Sequence, residues 1–343
     1  MPVSPKQIER PKTSSVPAPP YTPPLPYVPP RRRSVWRWLA PAIALLLLAA
    51  ILLAGAVWLR SRATREPDEP KEPSTIPAFP EGRFCLLDSD LGLVWLPILD
   101  NVPRETYNSA NFTVKNGLTY YEDATCRSMV GVDVSEYQGE VDWQTIAAAG
   151  VDYAMIRVGW RGYVSGNVGE DEAFIANIEG ARDAGLAVGV YFFSQATSVA
   201  EAEEEAAFVL DRIRGYDITM PVVYDFERVL EDDSRTVDVT GGTVTDCAVA
   251  FCDAVARAGY RPGVYFYKSL AYHDYDLSRL ADYDFWLSEP ADLPDFYYRV
   301  AMWQYDVEGS LPGVEGTVDL NLCFVPVETE ASLETSAETD SMN

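Results

Sequence analysis

The stretch Pro221-Val222-Val223-Tyr224-Asp225-Phe226-Glu227 is a short apolar run that ends in two acids separated by one residue. A run of this length, with β-branched residues at its centre, predicts a buried strand. Because side chains alternate along a strand, Asp225 and Glu227 point to the same side, roughly 6.5–7 Å apart along it. Acids at strand ends commonly cap turns, so this stretch alone leaves a structural and a functional interpretation open.

From residue 129 onward the chain alternates between predicted strands and predicted helices. The strands are expected at 130–134, 153–158, 186–193, 222–226, 263–267, 285–287, 300–303 and 317–320, and the helices at 142–149, 171–184, 199–213 and 243–258. Strands that alternate with helices indicate a parallel sheet with the helices outside it. About eight strands over roughly 200 residues favour a barrel rather than an open sheet, and in such barrels the chemistry lies at the carboxyl ends of the strands.

Two further acids fall at comparable positions in this barrel. Asp133 ends the first predicted strand, and Asp319 lies within the last one. A closed barrel places the first and last strands side by side, so these two acids, Asp225 and Glu227 are expected to converge on one mouth. Each acid alone is more often a turn residue, and their joint placement is what favours a functional site.

Composition limits the chemistry available to the chain. The net charge is −25, and since residues 1–65 carry ten Lys or Arg and one Glu, the remainder carries −34. A body this acidic argues against a nucleic-acid partner, because phosphate contacts need basic patches. The only histidine is His273, and the five cysteines show no metal-ligand spacing. We therefore expect no metal and no cofactor, with carboxylates as the acid–base groups.

The sequence of the first 80 residues predicts a membrane anchor. Residues 1–35 form a proline-rich basic tail, and residues 36–59 contain an uncharged span of 22 residues, Trp38–Leu59. Such a span is about 33 Å long as a helix, enough to cross a bilayer. Seven basic residues precede it and three follow it, which favours a cytoplasmic amino terminus with the barrel outside the cell membrane. The tail is then free to bind a cytoplasmic partner, and residues 60–80 form a proline-rich acidic linker.

Residues 81–128 predict a small β-rich stalk module between the linker and the barrel. The dipeptide Asn116-Gly117 separates two short apolar runs and predicts a hairpin turn. Cys85 and Cys126 bracket the module, and in an oxidising exterior they are placed to close it with a disulfide. The barrel is expected over 129–326, followed by a disordered acidic tail over 327–343.

The body resembles family 25 of the glycoside hydrolases, the N-acetylmuramidase lysozymes. The resemblance covers residues 130–324, with the motifs in the family's order. These are Gly131–Gly139 followed by Val141-Asp142-Trp143, Tyr153–Arg157, Gly189–Ser194, Pro221–Glu227, Gly259–Tyr265, Met302–Tyr305 and Val318–Asn321. Two departures concern substrate contacts: Trp286 is followed by Leu287-Ser288 instead of a small residue and a tyrosine, and Asp306 follows Tyr305.

The resemblance implies an irregular, TIM-like β/α barrel with fewer helices than strands. It also implies hydrolysis of the β-1,4 bond between N-acetylmuramic acid and N-acetylglucosamine in peptidoglycan. Carried onto the matching positions, Glu227 is the general acid, and Asp225, Asp133 and Asp319 are the surrounding carboxylates. This division agrees with the chemistry, since glycoside cleavage needs one protonated acid and negative charge near an oxocarbenium-like centre. The sequence leaves open whether configuration is retained or inverted, and whether Asp225 orients the substrate's acetamido group.

Aromatic residues at the predicted strand ends are candidates for sugar contacts. Tyr191, Trp303 and Tyr305 are expected to bind substrate, whereas Tyr265 and Trp286 are interpreted as core or rim. One alternative function is a catalytically silent peptidoglycan-binding barrel that tethers the membrane to the cell wall. A purely structural role is a third possibility, but it leaves the four acids unexplained.

Overall fold

The computed structural model describes residues 81–88, 92–231 and 233–327. The strands in these ranges are β1 (Arg83–Asp88), β2 (Gly92–Pro97), β3 (Phe112–Lys115), β4 (Leu118–Tyr121), β5 (Cys126–Val134), β6 (Tyr153–Arg161), β7 (Val168–Glu170), β8 (Ala187–Ser194), β9 (Val222–Phe226), β10 (Pro262–Tyr267), β11 (Asp284–Ser288), β12 (Met302–Gly309) and β13 (Val318–Pro326). The α-helices are α1 (Trp143–Ala148), α2 (Phe174–Asp183), α3 (Val199–Arg212), α4 (Gly241–Arg257) and α5 (Lys268–His273).

Eight of these strands close into a barrel. Starting from β5, the neighbours β6, β8, β9, β10, β11 and β12 pair in parallel. The last strand, β13, lies between β12 and β5 and is antiparallel to both. The predicted parallel sheet is therefore right for seven strands and wrong for β13. The connection between Gly309 and Val318 holds no helix, and so short a link joins neighbouring strands as a hairpin.

Helices α1 to α4 follow the predicted positions within three residues, whereas α5 was not predicted. Side-chain caps set the starts of α1 and α4: Asp142 accepts a hydrogen bond from the Thr145 amide before α1, and Thr240 does the same for the Thr243 amide before α4. Between β11 and β13 the described chain forms no helix. The outer faces of β12, β13 and β5 therefore need another cover.

The segment before the barrel supplies that cover. Phe324 on β13 stacks on Tyr107 with ring centroids 3.9 Å apart, and Tyr121 meets it edge-on at 5.7 Å. Phe112 meets Trp303 on β12 in the same way at 5.7 Å. These residues belong to the apolar core that also lies between the helices and the barrel. The segment 92–125 thus takes the place of helices on one side of the barrel.

Two features of the predicted β-rich module can be checked directly. β3 and β4 form the predicted hairpin, and Asn116 and Gly117 both adopt positive φ, at 55° and 82°, as a tight two-residue turn requires. Cys85 and Cys126 are free thiols, so the possible disulfide is not formed. The first barrel strand begins at Cys126, three residues before the boundary predicted at 129.

A second apolar cluster fills the inside of the barrel beneath its carboxyl-end mouth. Its buried members are Tyr153, Met155, Met220, Val223, Trp286, Met302 and Cys323. Gly131 makes room for this filling, because a Cβ at that position would lie 2.2 Å from the Tyr153 ring. The barrel interior is therefore packed beneath the end where β5 and β9 finish.

The predicted membrane span at 36–59, the tail at 1–35, the linker at 60–80 and the acidic tail lie outside the described residues. Within the described ranges, none of the helices combines the length and apolar character that crossing a bilayer requires.

Candidate active site

The carboxyl ends of the parallel strands surround a cavity of about 250 Å³. All four predicted carboxylates line it: Asp133 near the end of β5, Asp225 near the end of β9, Glu227 just beyond β9, and Asp319 near the start of β13. Because β13 runs against its neighbours, its start lies at the end of the barrel where the parallel strands finish. The structure thus brings the four acids together.

Asp133 and Asp319 lie opposite each other on β5 and β13. The Nε2 of Gln304 donates to Oδ2 of Asp133 at 2.9 Å and to Oδ2 of Asp319 at 3.3 Å. The Nδ2 of Asn321 donates to the same Asp133 oxygen at 2.7 Å. Two amide groups therefore hold the Asp133 carboxylate, which is only 6% exposed, in one orientation.

The hydrogen bonds around Asp133 give Asp133 and Asp319 different affinities for a proton. Burial raises the pKa of Asp133, while hydrogen bonds from Asn321 and Gln304 favour its ionised form. Burial, with the charge and hydrogen bond of Asp133 added, raises the pKa of Asp319 to about 8. Since two close carboxyls compete for a proton, the two amide donors favour the negative charge on Asp133 and leave the proton to Asp319.

Asp225 is the most enclosed member of the set. Burial raises its pKa well above the ordinary value, and the charges of Glu227 and Asp133 raise it further. Its Oδ1 atom is buried and has no hydrogen-bond partner among the described residues. A buried carboxyl oxygen without a partner costs free energy, so this atom is a candidate acceptor for a group that enters the cavity.

Glu227 lies at the opening, half-buried and one residue beyond the last residue of β9. Burial raises its pKa, and the charge of Asp133 raises it further. No side chain in the described ranges donates a hydrogen bond to its carboxyl group. Glu227 is therefore an acid that keeps its proton to higher pH than an exposed glutamate and has that proton free to donate.

Aromatic side chains fix the two amides that hold Asp133. The Nε1 of Trp286 donates to Oδ1 of Asn321 at 2.9 Å, and the hydroxyl of Tyr265 donates to Oε1 of Gln304 at 3.0 Å. Each bond occupies the amide oxygen, so the amide NH₂ groups of Asn321 and Gln304 face the carboxylates. Tyr265 and Trp286 also line the cavity. Their interpretation as core or rim residues therefore missed a role in the site.

Tyr191 lines the cavity as predicted, with its ring edge-on to Trp286 at 5.8 Å. Trp303 and Tyr305 do not line it, and their predicted sugar contacts are wrong. Because side chains alternate along β12 and Gln304 points inward, both neighbours point outward. Trp303 is fully buried against Phe112, and the Tyr305 hydroxyl accepts a hydrogen bond from the Thr119 amide at 3.2 Å.

Sequence reasoning also missed Arg157, which borders the cavity from β6. Its Nε donates to Oδ2 of Asp171 at 2.7 Å, and its Nη2 donates to Oε1 of Glu136 at 3.0 Å. The guanidinium lies 4.9 Å from the ring centroid of Tyr137. Arg157 thus fixes the loop that follows Asp133. Its position within the motif Tyr153–Arg157, at the end of a buried strand, was the available signal.

A larger cavity, of about 810 Å³, continues from the carboxylate cavity and shares Tyr137, Arg157 and Phe193 with it. We call this cavity the cleft arm. Its walls come from the turn after β6 and from the chain that follows Glu227, and they include Tyr163, 41% exposed, and Leu230, 84% exposed. The two cavities together form an elongated depression, a shape suited to a polymer.

Comparisons with known proteins place these observations in context. The model of the family described as glycosyl hydrolases family 25 matches residues 132–314. The autolytic lysozyme of Clostridium acetobutylicum is 26% identical over 194 residues, which span 56% of this chain and 55% of that protein. Lysozyme M1 of Streptomyces globisporus is 25% identical over 244 residues, spanning 66% of this chain and 80% of that protein.

Solved structures share the fold. The modular autolysin LytC from Streptococcus pneumoniae, solved with a synthetic peptidoglycan ligand, has a TM-score of 0.53 and 22% identity, covering 71% of this chain and 57% of that one. A family 25 glycosyl hydrolase from Bacillus anthracis has a TM-score of 0.50 and 21% identity, covering 65% of this chain and 99% of that one. The second comparison aligns the barrel over nearly the whole length of a solved protein.

Proposed function

The chain belongs to family 25 of the glycosyl hydrolases, and on that premise we propose that it hydrolyses the β-1,4 bond between N-acetylmuramic acid and N-acetylglucosamine in peptidoglycan. The observation that carries the proposal is the convergence of four carboxylates, in different environments, on one cavity. The names of the two lysozyme relatives agree with this substrate class.

Glu227 has the properties of the general acid. Its carboxyl is half-buried, its pKa is raised, and its proton is free to donate. We infer that it protonates the glycosidic oxygen as the bond from that oxygen to the anomeric carbon breaks. The ionised Asp133 then lies on the side of the cavity where positive charge develops, held there by Gln304 and Asn321.

Asp225 is suited to hold the substrate's acetamido group. The partnerless Oδ1 would accept the amide N–H, which turns the acetamido oxygen toward the anomeric carbon. In this route the acetamido oxygen forms a bond to that carbon as the leaving oxygen takes the proton of Glu227. Water afterwards opens the resulting ring, and its proton returns to the Glu227 carboxylate.

The cleft arm is suited to the part of the glycan that leaves. The chain runs from Glu227, the proton donor, directly into the wall residues Val229 and Leu230. The side of the scissile bond that receives the proton is therefore the side that continues into the arm. Tyr163 and Leu230 offer apolar surface to sugar rings there.

The test of the activity uses the full-length protein in detergent and its Glu227→Gln variant. We expect the parent to release new reducing ends from purified cell walls, and the variant to be slower by about 10²–10⁴-fold because it lacks the acid. Glu140→Gln, which changes an exposed glutamate, is the matched control and should match the parent.

A parent protein that releases no reducing ends from several wall types would contradict the proposed activity. If that protein still sedimented with the walls, the silent wall-binding barrel would be the better description. If Glu227→Gln were as active as the parent, another residue would supply the proton.

We further propose that residues 36–59 anchor the protein in the cell membrane with the barrel outside. The support is the length of the uncharged span and the excess of basic residues before it. Protease added to intact cells should remove the barrel and leave the amino-terminal tail with its possible cytoplasmic partner. Complete protection of the barrel would reverse the orientation.

A further inference from the structure

Glu227 lies where the sheet no longer supports the backbone. The parallel pairing of β8 with β9 ends at Ser194 and Phe226, and the pairing of β10 with β9 ends at Tyr265 and Asp225. The Glu227 carbonyl is therefore beyond both ladders. None of the described side chains donates a hydrogen bond to the Glu227 carboxyl. Neither the sheet nor a bond to this carboxyl therefore fixes the position of Glu227.

One buried side chain replaces the missing ladder bond. The Nε2 of Gln195 donates to the carbonyl oxygen of Glu227 at 2.7 Å and to the carbonyl oxygen of Ser194 at 2.8 Å. Its Oε1 accepts from the hydroxyl of Thr236 at 3.0 Å. Gln195 has no exposed surface, and the two carbonyls and the hydroxyl permit only one orientation of its amide.

Gln195 is itself anchored to a helix. The preceding hydroxyl of Ser194 donates to Oε2 of Glu205 at 2.6 Å, and Glu205 pairs with Nε of Arg161 at 2.6 Å. Glu205 is fully buried on α3. A continuous set of hydrogen bonds therefore runs from α3 through the end of β8 to the backbone of Glu227.

We propose that Gln195 is the positioning residue that holds Glu227 over the scissile bond, a role that rests on the proposed function of the cavity. It touches no substrate. It acts by fixing the backbone of the acid, and general acid catalysis is sensitive to displacements of about 1 Å. A methionine at position 195 keeps the volume of the side chain and loses both donated bonds.

The kinetic test compares Gln195→Met with Thr245→Val. Thr245 is equally buried on α4 and forms hydrogen bonds with Gly241 and Asp276, away from the cavity. With soluble glycan strands from sonicated walls, Gln195→Met should lower kcat by about 10–100-fold and leave KM within about twofold. Thr245→Val should reduce thermal stability without a comparable loss of kcat. Equal kcat in the Gln195→Met variant and the parent would overturn the proposal.

Gln195→Glu gives a rescue that a general loss of stability cannot mimic. Its ionised carboxylate faces two carbonyl oxygens, whereas its protonated form regains one donor. The ratio of its kcat to the parent's should therefore rise as the pH falls. A ratio independent of pH would count against the role. Thr236→Val removes the bond to Oε1, together with the bond between the hydroxyls of Thr236 and Ser234, and leaves both bonds donated by Gln195 in place. It keeps the question open to measurement if both position-195 variants fail to fold, with an expected fall in kcat of about threefold to tenfold. An unchanged kcat in a folded Thr236→Val would then reject the role.

A readout without catalysis separates this proposal from the proposed function. The carboxyl carbon of Glu227 can be followed by ¹³C NMR in glutamate-labelled protein, with Glu227→Gln giving the assignment. Displacing Glu227 from the crowded cavity should lower its pKa in Gln195→Met and leave it unchanged in Thr245→Val. If the parent is inactive but the Glu227 pKa moves, the hydrolase proposal fails and the positioning role stands. An unmoved pKa rejects the positioning role whatever the activity.

Discussion

Asp133 and Asp319 show how neighbouring carboxyls of the same type take different tasks. They face each other on adjacent strands, and two amide donors converge on Asp133. The proton therefore lies on Asp319, whose pKa is raised to about 8, and the charge lies on Asp133. At neutral pH, Asp319 serves as a hydrogen-bond donor, a role that an amide side chain can also fill.

Substitution by asparagine should therefore affect the two positions unequally. Asp133→Asn removes the negative charge and should lower kcat by about 10²–10³-fold. Asp319→Asn keeps a donor toward Asp133 and should stay within about tenfold of the parent. Both are measured as reducing ends released from soluble glycan strands at pH 7. Equal losses would mean that Asp319 acts in its ionised form.

Asp319→Asn should also change how stability depends on pH. A carboxyl whose pKa rises on folding favours the fold fully below its unfolded pKa, about 3.8, and this contribution is lost as the pH rises through the folded pKa, about 8. Asparagine does not titrate. The free energy of unfolding of the variant should therefore match the parent's near pH 4 and exceed it by about 1–2 kcal/mol at pH 8. The difference is limited to this range because partial exposure of Asp319 screens part of the cost of ionising it in the folded state. Chemical denaturation at both pH values measures this difference, and a constant difference would contradict it.

At this scale the sequence predicted which acids converge but, apart from Tyr191, not which aromatics accompany them. The acids stand at the ends of strands, where a displacement of one residue in the predicted strand does little harm. The aromatics on β11 and β12 depend on which side chains alternate inward. That is set by the register with β13, where the pairing shifts between Gln304 and Asp306. The prediction of Trp286 as core or rim therefore missed its hydrogen bond to Asn321, and Trp303 was wrongly predicted as a sugar contact.

At the scale of elements, the cleft arm is built from two connections that touch each other. The Arg235 amide donates to the Tyr163 carbonyl at 2.8 Å, and the Arg235 side chain pairs with Glu201 on α3. A backbone hydrogen bond thus joins the turn after β6 to the chain after Glu227. Their apolar residues, Tyr163 and Leu230, remain exposed toward the arm.

Removing these apolar surfaces should affect long substrates more than short ones. Tyr163→Ala and Leu230→Ser should each raise KM for polymeric glycan by about fivefold, since about 1 kcal/mol of contact is lost, and should leave kcat within about twofold. The shortest cleavable fragment should show a smaller rise. Leu93→Ser, at a residue 71% exposed on β2, is the control. An equal rise in KM for long and short substrates would mean that the polymer does not bind in the cleft arm.

The elements themselves were largely predictable because their signals are local. The four predicted helices have caps or glycine stops within the sequence, and the Asn116-Gly117 turn has a specific backbone requirement. The direction of β13 was not predictable in this way. It depends on the absence of a helix between Gly309 and Val318, and short connections leave no pattern of their own.

At the scale of the whole molecule, the segment before the barrel is part of its apolar core. Tyr107, Phe112 and Tyr121 surround Phe324 on the side of the barrel without helices, and Phe112 also meets Trp303. The hydroxyl of Tyr107 donates to the Val300 carbonyl at 2.9 Å. The boundary predicted at residue 129 cuts through β5 and separates these contacts from the barrel.

A protein that begins at residue 129 should therefore be unstable, and one that begins at residue 81 should fold. Exposing the faces of Trp303 and Phe324 and losing the aromatic packing should cost about 5 kcal/mol or more. Thermal unfolding and size-exclusion profiles of the two proteins check this. If the shorter protein unfolded at the same temperature as the longer one, the amino-terminal segment would be independent of the barrel.

The antiparallel β13 has a consequence for when the protein becomes active during its synthesis. Asn321, which holds the Asp133 carboxylate, is separated from it by 188 residues of chain. A ribosome-bound chain that has not yet released β13 has neither Asp319 nor a closed barrel. If the proposed function is right, the protein therefore has no complete active site while the earlier strands are translated, and a chain that ends before Val318 should show no activity on purified cell walls.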